Sequence, residues 1–113
     1  MSVLMESPRE AHWNSEEIAV DWNRFHSCWE FLWELSRHAK SGGSVDRLTF
    51  GADASEDVVT KRKNRLKSMP EFPMSLVSLI GITGRGTQQM KLVPERIRIF
   101  QQSTNGRLTE WHP

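Results

Sequence analysis

SEDVVTKRKNRLKSMPEFPMSLVSLIGITGRG, Ser55 to Gly86, is the stretch whose reading decides the fold. Ser55 reads as a helix cap, with Glu56 and Asp57 in the first turn, favourable against the helix dipole. At about 100° per residue, Val58, Val59, Leu66 and Met69 fall within an arc of about 100° and face inward. Thr60, Lys61, Lys63, Asn64 and Lys67 fall outside that arc and face solvent or a partner. Pro70 and Pro73 bracket the exit. Ser75 to Ile82 is rich in branched residues and reads as a strand, Thr83-Gly84-Arg85-Gly86 as a turn, and Thr87 to Val93 as an antiparallel return. The reading is a basic helix over 55–69 followed by a β-hairpin over 75–93.

Upstream, NRFHSCWEFLWELSRHAK (23–40) carries the strongest helix signal, with Asn23 as a candidate cap. Phe25, Cys28, Trp29, Leu32, Leu35 and Ala39 form one stripe, widened by Phe31 and Trp33. His26, Ser27, Glu30, Glu34 and Arg37 fill the opposite side, and Gly42-Gly43 supplies a left-handed stop. Between the two helices, Ser44 to Gly51 reads as a two-turn helix with Val45, Leu48 and Phe50 toward the core. Before them, Glu16 to Trp22 reads as a short strand with Ile18, Val20 and Trp22 on one face. After the hairpin, Arg96 to Phe100 alternates, with Ile97 and Ile99 on one side; alternation leaves open whether it pairs with the N-terminal strand or the hairpin. Residues 1–15 read as a flexible N-terminal arm, 16–100 as the folded domain and 101–113 as a C-terminal tail.

The expected fold class is therefore α+β, in the order of a winged helix-turn-helix: a short N-terminal strand, three helices and a C-terminal β-hairpin wing. From about Asn23 to Leu92 the sequence resembles the winged-helix output domain of OmpR/PhoB-type response regulators, as a divergent relative without a receiver domain. FLWELSRHAKSGGSV, the Arg65-Leu66-Lys67 core and FPMSLVSLIGITGRG carry the resemblance. Lys63 stands where that family usually has a buried aliphatic residue. The resemblance implies a DNA-binding domain of a small transcriptional regulator.

Composition bounds what else is open. The 113 residues are 37% apolar and 26% charged, which suits one modest domain. The single cysteine, Cys28, excludes an intrachain disulfide and a cysteine-built zinc site. No apolar run has the length of a membrane span, and Met1 to Glu10 lack a signal-peptide core, so the expected location is the cytoplasm. Net charge is +1, unevenly spread: residues 1–40 hold seven acids and four bases, residues 41–113 seven acids and eleven bases. Five of the eleven lie in Lys61–Lys67, uninterrupted by an acid, and such a cluster draws a phosphate backbone through counterion release. A merely solvated helix face is the plain alternative.

On the DNA-binding reading the 55–69 helix enters the major groove. Lys61, Lys63 and Lys67 contact phosphates or guanine edges, Asn64 reads adenine, and Thr60 touches phosphate or a thymine methyl. Arg85, at the wing tip, reaches the backbone or the minor groove. Gly81 to Thr87 lacks the Gly-Lys-Ser/Thr of a nucleotide-binding loop. His26 and Cys28 point about 200° apart and share no metal. Glu30 and Glu34 stack on the solvated face without a nucleophile or second acid. No enzyme activity, metal or cofactor is expected. The other reading is a winged-helix protein-interaction module without DNA binding. Five tryptophans support it, with Trp13 and Trp111 as anchors in the arm and tail, or a homodimer built on the Trp22 or Trp33 surface.

Overall fold

A computed structural model describes residues 9–113 in full and residues 3–5 by their backbone. The elements run β1 (Val3–Met5), β2 (Glu10–Trp13), β3 (Glu16–Glu17), α1 (His26–Lys40), α2 (Val58–Lys67), α3 (Met74–Val77), β4 (Ile80–Gly84), β5 (Thr87–Met90), β6 (Ile99–Gln102) and β7 (Leu108–Trp111). Single 3-10 turns occupy Arg47–Phe50 and Pro94–Arg96. Among the described residues the class is α+β, with three α-helices and small antiparallel hairpins.

The apolar stripe of α1 organises the core. Cys28, Trp29, Phe31, Leu32, Leu35 and Ala39 are all buried, and Phe25 and Trp33 pack at the margin. Ser36 is tolerated inside because its Oγ donates to the Leu32 carbonyl at 2.8 Å, which satisfies a hydroxyl that burial would otherwise leave unpaired. Trp29 lies between Trp22 and Trp33, with ring centroids 5.4 and 5.9 Å away, so the tryptophans on α1 serve packing. The helix stops at Gly42, whose φ of +78° is strained for a residue with a Cβ. The first helical residue is His26, after Phe25, so Asn23 does not cap it.

Two sheets flank the helices. The larger has the order β3-β2-β1-β6-β7; β1 runs parallel to β6, with Leu4 opposite Ile99, and the other pairs are antiparallel. The smaller is the β4–β5 hairpin, with Ile80 opposite Met90 and a bulge between Ile82 and Gly84. Val45 and Gln88 exchange backbone hydrogen bonds of 2.8 and 3.0 Å, which ties the chain after α1 to the hairpin.

Several expected elements are revised. Residues 10–13, expected in a mobile arm, form β2, with Ala11 and Trp13 buried and the Trp13 Nε1 donating to Ser75 Oγ at 2.9 Å. The inward alternation of two residues is too short to register against Pro8 and the surrounding polar chain. Asn14 and Ser15, with φ of 52° and 68°, make the tight turn into β3. Residues 1, 2 and 6–8 of that arm lie outside the described residues. The expected tail, 101–113, holds the end of β6 and all of β7, which pair as a hairpin, so strands of the larger sheet lie beyond both limits expected for the domain, 16 and 100. Ile18 and Trp22 are buried as expected, but on irregular chain after a two-residue strand.

Ser44–Gly51 is not a two-turn helix. Asp46 accepts from the amides of Leu48 and Thr49 and fixes one tight turn, which leaves Leu48 63% exposed. The basic helix begins at Val58, because Ser55 Oγ bonds the Asp57 carboxylate instead of a helical amide. The segment expected to be a strand from Ser75 opens with α3: Pro73 sits extended at its N-cap, and Leu76 and Val77 bury their side chains from one helical turn. Apolar runs of this length suit either state, and burial decides between them. The hairpin is thus 80–90 instead of 75–93, and the last expected strand moves from 96–100 to 99–102. Ile97 and Ile99 both face inward, and β6 pairs with the N-terminal strand β1, not the hairpin.

Candidate nucleic-acid interface

Only Val59 and Leu66 of α2 are buried, and no acid lies between Val58 and Lys67. With those two side chains inward, helical geometry at about 100° per residue aims Asn64 and Lys61 straight outward. Thr60 and Lys67 occupy one flank and Arg65 the other, and all five are exposed. Lys63 and Arg62 lie lower on the two flanks and are half-buried. Half-burial of Lys63 is compatible with its aliphatic stem lying on the protein while its ammonium reaches water.

The cations differ in how far they are neutralised. Lys61 Nζ lies 3.1 Å from the Asp57 carboxylate one turn back. Arg62 reaches across to Glu30 of α1 at 3.1 Å and stacks over Phe50, 4.6 Å from the ring centre, so it joins the two helices. Lys63, Arg65, Lys67 and Arg85 form no ion pair among the described residues. Hydrogen bonding from the Ser55 hydroxyl, followed by Lys61, holds the Asp57 carboxyl below the usual aspartate range. Asp57 therefore stays ionised and keeps Lys61 occupied.

Arg85 stands exposed at the hairpin tip, where Gly86 takes a left-handed φ of +71°. An open groove of about 610 Å³ separates this tip from the start of α2, lined by Asp46, Arg47, Leu48, Glu56, Asp57, Thr60, Arg85 and Gly86. The structure thus brings Thr60 and Arg85 to one groove, while Lys63 and Lys67 lie outside its lining. The groove carries three acids against two arginines, so its lining is net acidic.

Two arginines escaped the sequence reading of this surface. Arg47, on the 3-10 turn, lines the same groove as Arg85, and Arg24 joins Arg65 at the ring of Phe25. Arg65 was legible within the basic run; for Arg24 and Arg47 no local signal exists, since tertiary packing alone carries them there. The tryptophans expected as partner anchors or as a dimer surface are placed otherwise. Trp13 and Trp22 are buried, Trp33 packs beside Trp29, and Trp111 is half-buried under the Arg37 guanidinium at 5.1 Å.

Among the described residues, no three His, Cys, Asp or Glu side chains converge on a point suited to a metal ion. His26 is exposed while Cys28 is buried, and burial pushes the Cys28 thiol up, which keeps it protonated and unreactive. No helix of the described residues is long and apolar enough to cross a membrane. No protein-family model, curated protein or solved structure matches the chain.

Proposed function

We infer that the protein is the DNA-binding domain of a small transcriptional regulator, built as a winged helix-turn-helix. In this reading α2 enters the major groove, and the β4–β5 hairpin lies on the backbone as the wing. Thr60, Lys61, Lys63, Asn64, Lys67 and Arg85 make the contacts. The observation that carries the reading is the acid-free outer surface of α2: Thr60, Lys61, Asn64, Arg65 and Lys67 are exposed on a helix with only two buried side chains. The Val45–Gln88 bridge supports the wing assignment, because it ties the hairpin to the chain after α1, while the hairpin tip shares a groove with Thr60 of α2. The role is non-catalytic and cofactor-free, and a cytoplasmic location goes with it.

Charge distinguishes the roles. Lys63 and Lys67, unpaired, bind phosphates and release counterions. Lys61 first has to leave Asp57, so its contribution is smaller per charge. Asn64, exposed at the centre of the outer face, offers the amide pair that fits an adenine edge. Substituting Lys61, Lys63 and Lys67 together by Ala is expected to flatten the salt dependence of duplex binding by up to about three counterion units while leaving the fold intact. Anisotropy titrations of a labelled duplex at two salt concentrations measure this; an unchanged isotherm rejects the assignment. Amide shift mapping with duplex is expected to concentrate in residues 58–68 and 83–87.

A second reading, a protein-interaction module, is favoured by the groove itself. Its acid surplus and the exposed Leu48 suit a basic, partly apolar peptide better than a phosphate. Absence of duplex binding even at low salt selects this reading.

A further inference from the structure

A helix lying in the major groove is walled by two phosphate backbones, one along each flank. The contacts assigned above supply Lys67 and Thr60 to one flank of α2, with Lys63 beneath them. On the other flank the helix itself offers Arg65, above an Arg62 already committed to Glu30. Arg65 does not stand alone there. Its guanidinium carbon lies 5.8 Å from the centre of the Phe25 ring, and that of Arg24, on the turn leading into α1, lies 5.3 Å from the same ring.

Two like charges gathered at one aromatic ring repel one another, and the usual relief is a shared carboxylate. Here neither arginine forms an ion pair among the described residues, and the first turn of α1 carries no acid. Both side chains are exposed, so their hydrogen-bonding edges face water while ring contact restrains their planes. Restraint lowers the rotamer entropy lost on gripping an anion, and a guanidinium fork matches two phosphate oxygens at once.

We propose that Arg24 and Arg65, organised by Phe25, form a second backbone clamp that grips the phosphates of the strand opposite to the one held by Lys63 and Lys67. The clamp rests on the DNA-binding reading. It adds to that reading a two-sided grip: α2 is seated between both backbones, and the turn before α1 becomes part of the interface. Binding at this flank is sequence-independent, because phosphates carry no base identity.

The test compares salt slopes for a random duplex. Replacing Arg24 and Arg65 together by Ala removes two exposed side chains, so the fold is retained. Affinity at low salt is expected to fall on the order of tenfold or more, with the salt slope reduced by roughly one to two units. Phe25→Leu keeps both charges and removes the ring; it is expected to weaken binding less than the double variant, with the salt slope nearly preserved. A thermal melt by circular dichroism confirms that Phe25→Leu is folded. If the Lys61, Lys63 and Lys67 variant loses binding while the Arg24 and Arg65 variant matches the parent in affinity and slope, the clamp is wrong and the DNA-binding reading stands. Wild-type affinity in Phe25→Leu overturns the organising role of the ring. If the parent chain binds no duplex at low salt, both the reading and the clamp fall.

Discussion

α1 and α2 lie against each other, yet they are built by opposite rules. The fifteen residues of α1 include seven that are buried, whereas the ten of α2 include two. α1 holds its shape because the core requires its stripe. α2 is held by Val59, Leu66, the Arg62–Glu30 bridge and its neighbours, leaving the rest of its surface uncommitted to the fold. The acid-free outer surface of α2, from Val58 to Lys67, is therefore not required by the core.

The contrast can be broken most forcefully at Phe31, a fully buried side chain of α1. Phe31→Ala leaves a cavity that close packing cannot fill, and is expected to cost about 3–5 kcal/mol of stability, measured by urea unfolding. Leu66→Ala removes one of only two buried anchors of α2. Its expected cost is smaller, about 2–3 kcal/mol, since α2 can settle inward, and hydrogen exchange is expected to quicken in 58–67 before it does in α1. Equal quickening in both helices would show that the two are one cooperative unit. Arg62→Ala tests the join between them: with its Glu30 bridge and its packing on Phe50 both lost, about 1 kcal/mol is expected.

The smallest effect concerns pH. The Asp57 carboxyl titrates below the usual aspartate value in the folded chain, so its stabilising contribution is present above that ordinary value and is lost as pH falls through the depressed one. Asp57→Asn is expected to remove a small part of the acid dependence of the urea midpoint. It also frees Lys61, so duplex affinity at neutral pH is expected to rise slightly.

The sequence disclosed α1 because six apolar residues, Phe25, Cys28, Trp29, Leu32, Leu35 and Ala39, repeat at helical spacing over four turns, and no local alternative competes. It disclosed the turn read at Thr83–Gly86 and found at Arg85–Gly86, because the residue types there serve little else. The three strands before α1 and the hairpin after Pro94 were not legible in the same way. The described inward sets are Ala11 with Trp13 in β2 and Ile99 alone in β6, with none in β3 or β7, and the pairing of β1 with β6 joins segments remote in the chain. α3 was misread as strand because SLVSL satisfies both periods equally. At the candidate interface, the outward set on α2 followed from helical spacing, while Arg24 and Arg47 join it only through packing.

The parallel register of Leu4 with Ile99 has a consequence for how the molecule assembles. Those partners close a loop over nearly the whole chain, and the entropy of that closure is offset only once the intervening helices have already drawn the two ends together. Within the wide sheet the other pairs are local, so the joining of β1 to β6 is the step that depends most on prior docking of the helices.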